Sequence, residues 1–370
     1  MENVLVCLIS STRAHDVTFP NFKRRVLDEL NADLALALAI DEKYDYDNPF
    51  WQHARYRWTA PDFDDYGEGF DWAQQWLCQQ HNIPAPNWRS MLRLKGDWAG
   101  KIQSPGLPRA TASSLQPFCR WLLLRGLQRD GVLDRYDRFV ISRSDFVWLC
   151  PHPPLSILDP CAIWVPDGEH WGGLNDRHLV VSRADVVNCL NGIEDILLEP
   201  DQLYEEMVKR QLDWNNEGFL AHHLRRKGLL DKTKVFPYVM YLARSVRDDS
   251  PTWSRGRYEP AVGHFVKYDT EFRAASAFAT IIRSRADWED NRWTQFDPTS
   301  AKSSPVSLPR RIWYGWERAR VWLVSQLGRP GRVRRLLRFC KNAVQRTVHS
   351  LPDSVGGRPA NKDWSRQRAV

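Results

Sequence analysis

The sequence lacks any hydrophobic run that approaches the roughly 18 consecutive apolar residues of a membrane span. Its first apolar run, residues 4–9, is too short for a signal peptide and lacks a basic leader. The seven cysteines are scattered and show no CxxC spacing, which is typical of reduced core thiols. We therefore expect a cytoplasmic protein without a structural disulfide or a zinc knot.

The short motifs of several common enzyme classes are also missing. The sequence contains no GxGxxG, no Walker loop, no GxSxG elbow and no kinase motif set. No HxH or HExxH spacing accompanies the ten histidines, so they do not indicate a metal site. These absences argue against NAD-type dehydrogenases, P-loop enzymes and the usual hydrolases.

Positive charge is plentiful but unevenly distributed. Of the net charge of +7, residues 310–350 contribute eleven Lys or Arg against one acid, and the tail from 351 adds +2. Residues 1–309 therefore carry about −5, so the body is mildly acidic and the basicity belongs to an appendage. We expect no nucleic-acid partner.

Apolar runs and helical periodicity alternate from the start of the chain. A strand at 4–9, a helix over 19–30 and a strand within 32–42 form a βαβ opening, which predicts an α/β fold with a mostly parallel sheet and crossover helices. Residues 43–112 are interpreted as long loops with one helix near 69–81. Further strands are predicted at 138–149, 161–167, 177–183 and 234–244, and further helices at 114–129 and in pieces over 185–229.

A domain boundary is predicted near residue 300, where Ser and Pro collect in a linker pattern. Residues 1–300 would form one catalytic domain, and 301–370 a linker, two basic helices at 309–327 and 331–349, and a polar tail. The basic amphipathic pattern suits an anionic membrane surface, and the protein would then be peripheral on the inner membrane face. The alternative is a solvated helical pair that packs on the body.

Three polar clusters follow predicted strands, and in a parallel sheet ligands bind outside the carboxyl ends of the strands. Ser10 to Arg13 follow the first predicted strand, Asp41 and Glu42 end the second, and Arg143 to Asp145 lie in the segment 138–149. The third cluster is unusual, because an ionised Arg143–Asp145 pair in an apolar segment needs either structural partners or a ligand. The clusters hold Ser10, Thr12, Arg13, Asp41, Arg143 and Asp145.

A second informative stretch is "VPDGEHWGGLNDRHLVVSR", residues 165–183. Two glycines, Gly172 and Gly173, allow a sharp turn or a close approach of backbone, and Asp176, Arg177 and His178 follow them. This loop suits a hydroxylated substrate; the alternative is a tight turn with local ion pairs. Glu217, at the start of a predicted helix, either favours the helix dipole or faces the cleft.

The order of "VLVCLISSTR", "ADLALALAIDE", "YDRFVISRSDF", "WVPDGEHWGGLNDRHLVVSR" and "NNEGFLAHHLRRKGL" resembles GT-A type glycosyltransferases of surface-polysaccharide and glycan clusters, over about residues 1–245. The resemblance implies a GT-A fold and a nucleotide-sugar donor bound by Ser10, Thr12, Arg13, Asp41, Arg143 and Asp145. It also implies a saccharide acceptor near Gly172, Gly173, Arg177 and His178. Asp176 is the first choice for the catalytic base, and Glu217 the second.

GT-A enzymes usually hold Mn²⁺ or Mg²⁺ with a DxD motif, but the matching place here reads Ser142, Arg143, Ser144, Asp145. Two arrangements remain open. Either Asp145 ligates a metal that phosphates and waters complete, or Arg143 replaces the metal on the diphosphate and Asp145 orients the sugar.

We thus expect a glycosyltransferase that acts on a saccharide acceptor, which we expect to be lipid-linked. Two other classes remain as alternatives. One is a non-catalytic protein that binds nucleic acid or anionic surfaces through its basic C-terminal region, and the other is a different nucleotide-using α/β transferase, such as a nucleotidyltransferase.

Overall fold

The structure is a computed structural model that describes residues 2–104, 112–210, 213–247 and 255–296. The strands are β1 (Val4–Ser10), β2 (Asp33–Ile40), β3 (Tyr56–Pro61), β4 (Arg138–Ser142), β5 (Phe146–Trp148), β6 (Ile163–Asp167), β7 (Leu179–Ser182), β8 (Thr233–Pro237), β9 (Met240–Arg244), β10 (Arg257–Glu259) and β11 (His264–Val266). The helices are α1 (His15–Phe22), α2 (Asp28–Leu30), α3 (Pro49–His53), α4 (Tyr66–His81), α5 (Leu115–Arg129), α6 (Arg183–Leu190), α7 (Gly192–Leu198), α8 (Pro200–Arg210), α9 (Asn216–Arg226), α10 (Asp269–Phe278) and α11 (Arg285–Glu289).

A seven-stranded sheet in the order β3-β2-β1-β4-β7-β6-β8 forms the centre of the fold. Neighbouring strands are parallel except around β7, which is antiparallel to both β4 and β6. The carboxyl ends of β1, β2, β3, β4, β6 and β8 therefore lie at one edge. The predicted α/β class, with a mixed and mostly parallel sheet flanked by helices, is confirmed.

Both faces of this sheet are buried, as the unbroken apolar run of β1 requires. Leu5, Cys7 and Ile9 point into a core that includes residues of α4, α5 and α9. The alternate residues Val4 and Val6 point into a second core built with α1, β5 and β9. The period of two along a strand thus places helices on both sides of the sheet.

The chain leaves the large sheet twice to build a four-stranded sheet in the order β10-β11-β9-β5. The predicted strand at 138–149 is two strands, because β4 ends at Ser142 and β5 belongs to the smaller sheet. The predicted strand at 234–244 is likewise divided into β8 and β9. The interpretation of each segment as one strand was wrong, since an apolar run does not show where a chain changes sheets.

Residues 43–112 contain more structure than we expected. They hold an edge strand, β3, in parallel register with β2, and helix α4 begins at Tyr66 and not near residue 69. The predicted linker and the two basic helices lie outside the described residues. Within the described residues, no helix combines the length and the apolar character needed to cross a bilayer.

Helix α5 packs on the sheet through a glycine, which gives a test of the fold. A Cβ at Gly126 would lie 2.3 Å from the Trp58 ring, and that ring is fixed by a hydrogen bond from Nε1 to Asp130. A helical Gly→Ala change usually stabilises by about 1 kcal/mol. We expect Gly126→Ala to destabilise the protein by about 1–3 kcal/mol in urea unfolding, because the ring cannot move away.

Gly192→Ala is the matched control, because the nearest atoms to its Cβ would be those of the His223 ring at 3.4 Å, an ordinary contact. A Gly126→Ala protein as stable as the wild type would show that α5 does not pack against β3 at this distance.

Candidate functional site

Two of the three predicted polar clusters, Ser10 to Arg13 and Arg143 to Asp145, meet at the carboxyl edge of the large sheet, between β1 and β4. The chain runs outward from β1 to β2 and β3 and returns to β4 on the other side of β1, so this is the topological switch point where open α/β sheets bind ligands. The loops are joined there, since Ser144 Oγ donates a hydrogen bond of 2.7 Å to the Ser11 carbonyl. The backbone of Ser10, with a φ of 86°, turns the first loop over this edge.

The Asp145 carboxylate is buried at this point and is held by two guanidinium groups. Arg143 donates to both oxygens, from Nε at 3.1 Å and from Nη2 at 2.8 Å. Arg244 Nη1, on β9, donates to Oδ2 at 2.7 Å, and its side chain is as buried as that of Asp145. Two cations thus share one carboxylate, which leaves a net positive charge.

Two further cations surround this group. Burial alone would raise the pKa of Asp145, but the charges of Arg143, Arg244 and Arg13 outweigh burial and hold it well below its usual range. Burial, together with the charges of Arg244 and Arg143, lowers the pKa of Lys267 to about 7. We call Arg13, Arg143, Arg244 and Lys267 the cation cluster.

A divalent metal does not fit this arrangement. Both Asp145 oxygens accept guanidinium hydrogen bonds, and a dication there would be placed among like charges. A hard cation prefers several oxygen ligands, and the described residues contain no group of three or more His, Cys, Asp or Glu side chains able to hold a metal.

The loop between β6 and β7 lies at the same edge and packs tightly against the start of α9. A Cβ at Gly173 would lie 1.9 Å from the Glu217 carbonyl oxygen, so only glycine allows this approach. Leu174 donates its N–H to the same oxygen at 3.0 Å. The loop thereby brings Asp176 beside Glu217.

These two carboxyl groups interact, and they have different environments. Burial, followed by the negative charge of Asp176, raises the pKa of Glu217 to about 8. Glu217 therefore keeps its proton at neutral pH. Asp176 is 5% exposed, its carbonyl accepts from Arg120 Nη2 at 2.7 Å, and its carboxylate has no hydrogen bond within the described residues.

Arg177, predicted to contact an acceptor, forms a buried ion pair. Its Nη1 donates to Glu271 on α10, and Glu271 Oε2 accepts from the Leu242 N–H at 2.9 Å. The guanidinium also lies over the Tyr268 ring, with its central carbon 5.2 Å from the ring centroid. Arg177 thus connects the β6–β7 loop to α10 and β9.

Three of the predicted site residues make hydrogen bonds to other groups of the protein. His178 is fully buried, where it bonds to Ser142 Oγ at 3.0 Å and to His152 at 3.2 Å, so its predicted acceptor contact has no geometric support. The Thr12 hydroxyl is occupied by Tyr44 and Asn48. Asp41 is exposed and caps a local turn by accepting the Lys43 N–H.

The sequence analysis missed four side chains that complete the site: Arg120, Arg244, Lys267 and Glu271. Each comes from an element distant in sequence from the motifs. The only local signal was for Arg244, since an arginine directly after the apolar run 238–243 stands at a strand end, as Arg143 does.

No protein-family model matches the chain, and no curated protein matches it in sequence. Among solved structures it is similar to mouse xyloside xylosyltransferase 1 in its apo form, with 9% identity over 65% of this chain and 86% of that chain and a TM-score of 0.35. It is also similar to the galactosyltransferase LgtC in complex with donor and acceptor sugar analogs, with 11% identity over 63% of this chain and 73% of that chain and a TM-score of 0.31.

The raised pKa of Glu217 makes stability depend on pH. The folded protein keeps a proton that the unfolded chain releases near pH 4.5, so the unfolding free energy falls as the pH rises from about 4.5 to about 8. The Glu217→Gln variant has no titrating carboxyl group at this position, so its unfolding free energy does not fall for this reason as the pH rises. We expect the variant to gain stability relative to the wild type across this window, by about 1–3 kcal/mol at pH 8.

Urea unfolding at several pH values measures this difference, and Glu205→Gln, an exposed change on α8, controls for removal of one carboxylate. A stability difference between the Glu217→Gln and wild-type proteins that stays constant from pH 4.5 to 8 would contradict the prediction.

Removal of one partner from the Arg177–Glu271 pair should be costly. Their side chains are 7% and 0% exposed, so Glu271→Gln leaves a buried guanidinium without its counter-charge. We expect a loss of about 3–5 kcal/mol in chemical unfolding. Glu289→Gln, which breaks the exposed pair with Arg285, should change stability by less than about 1 kcal/mol; equal losses would show that Arg177 is not buried in solution.

Proposed function

We propose that the protein is a glycosyltransferase that uses a nucleotide-sugar donor. The observation that carries this proposal is the cation cluster around the buried Asp145 at the switch point of the sheet. Two guanidinium groups share one carboxylate, with Arg13 and Lys267 nearby, and this arrangement suits an anionic ligand such as a nucleoside diphosphate. Arg143 is half-buried, and its Nη1 has no hydrogen bond within the described residues, so it is free to donate to a phosphate oxygen.

In this proposal the cation cluster does the electrostatic work that a divalent metal does elsewhere. Arg143 and Arg13 contact the diphosphate, and Lys267 adds charge as the anion arrives, since an anion favours its protonated form. Arg244 stays paired with Asp145 and keeps the carboxylate from repelling the donor. The negative charge that develops on the leaving group is thereby stabilised.

The transfer itself moves one proton and exchanges one bond. Asp176 accepts the proton of an acceptor hydroxyl, the hydroxyl oxygen bonds to the anomeric carbon, and the bond from that carbon to the diphosphate breaks with its electron pair going to the phosphate oxygen. Asp176 suits this role better than Glu217, because Glu217 already holds a proton at neutral pH.

The finer predictions about the acceptor rest on sequence. A saccharide acceptor, its attachment to a lipid, an anionic membrane surface and the cytoplasmic location stay predictions. The basic helices on which the membrane prediction depends lie within residues 301–370, outside the described residues.

Thermal unfolding in the presence of UDP-, GDP-, TDP- and CMP-sugars tests the donor site. We expect one nucleotide class to stabilise the protein, by about 2–3 kcal/mol at a hundredfold excess over its dissociation constant. The same shift should appear in EDTA and in MnCl₂. Arg143→Ala should abolish it, whereas Arg292→Ala, whose parent side chain is 82% exposed, should keep it.

The possible results separate the alternatives. No shift with any nucleotide sugar would refute the proposal, and a shift with nucleoside triphosphates alone would favour a nucleotidyltransferase. A nucleotide-sugar shift that requires Mn²⁺ would keep the donor site but overturn its independence of metal.

A further inference from the structure

Trp171 is an exposed tryptophan, whereas most aromatic residues in the described part of the chain are buried. It lies on the loop between β6 and β7 and is 49% exposed, and within the described residues only Trp72 is also classed as an exposed tryptophan. Trp72 nevertheless packs against Phe118, Trp121 and Arg125. Trp171 has no aromatic or cation–π partner and no hydrogen bond from Nε1 within the described residues. An indole with a free face can supply the apolar contact of a binding surface, and its position in the fold decides whether it does.

The backbone around Trp171 is held in an unfavourable conformation. Glu169, Trp171 and Gly172 have φ angles of 52°, 45° and 87°, a region that non-glycine residues rarely adopt. The Trp171 carbonyl accepts from Asn215 Nδ2 at 2.9 Å, and Gly173 donates its N–H to the His170 carbonyl at 2.7 Å. A bulky residue at a strained, anchored position suggests a role for the side chain itself.

The anchors place Trp171 next to the paired carboxyl groups. Asn215, which holds its carbonyl, precedes Glu217 by two residues, and Leu174 donates to the Glu217 carbonyl. Asp176 follows in the same loop. The exposed ring therefore lies on the loop that carries Asp176, and this loop is anchored at the start of the helix that carries Glu217.

We propose that Trp171 is a stacking platform for a pyranose ring of the acceptor saccharide. One face of a pyranose carries C–H groups that pack on an indole, while its hydroxyl groups need polar partners, and the half-buried His170 and Asn215 lie beside Trp171. That this saccharide is the acceptor rests on the proposed function; that Trp171 binds a saccharide does not. Stacking would bring a hydroxyl of the sugar towards Asp176.

Saturation-transfer difference NMR with lactose, maltose and cellobiose tests the platform, because it detects weak binding and reports which sugar protons touch the protein. We expect saturation of the ring C–H protons of at least one disaccharide with the wild-type protein. Trp171→Gly should abolish it without loss of stability, because glycine relieves the strain at a φ of 45°. Trp171→Phe should keep part of the signal, and Trp72→Gln should keep it fully.

Two results would overturn the inference: no saturation of any disaccharide by the wild-type protein, or an equal signal from Trp171→Gly. Thermal shifts with nucleotide sugars, measured on the same proteins, report donor binding separately from saccharide binding at Trp171. Trp171→Gly should leave the donor shift unchanged. A protein that binds a disaccharide through Trp171 but no nucleotide sugar would retain the platform and lose the proposed function.

Discussion

The buried carboxylate of Asp145 is the group on which the arrangement of the site depends. An ionised carboxylate inside a protein costs several kcal/mol unless donors compensate it, and here guanidinium groups from two strand ends do so. Because Arg143 follows β4 and Arg244 ends β9, the ion pairs also hold the corner between the two sheets. The same contacts that stabilise the fold therefore fix the cations at the ligand-binding edge.

The β6–β7 loop brings a second kind of chemistry to that edge. Gly173 fixes the loop on α9, and the Arg177–Glu271 pair fixes it on α10, so Asp176 is held from two sides. Arg177 also interacts electrostatically with both groups, namely with Asp176 of the carboxyl pair and with Lys267 of the cation cluster. In the proposed function, the diphosphate site and the proton acceptor thus lie side by side, with Arg177 held between them by Glu271.

Some elements of the fold and of the site could be predicted from local signals in the sequence, and others could not. The apolar run of β1, the periodicity of α5 and the charged residues after β4 are properties of short segments, and they were predicted. Strand β3 was missed because only alternate residues of it are buried, in a region rich in aromatic and acidic residues. Arg244 and Glu271 reach the site through pairing between distant segments, which no single sequence shows.

The run Ser142, Arg143, Ser144 and Asp145 places a single carboxylate at the end of β4, and this carboxylate is paired with cations. A metal at Asp145 would have to compete with the two guanidinium groups that already hold this carboxylate. Asp145 reduces the repulsion between the Arg143 and Arg244 guanidinium groups, since both donate hydrogen bonds to it. In the proposed function, the charge of a bound diphosphate would draw a proton onto Lys267, whose pKa is lowered to about 7 by burial and by Arg244 and Arg143. On that proposal Asp145 holds the guanidinium groups in place before the donor binds and need not contact the donor itself.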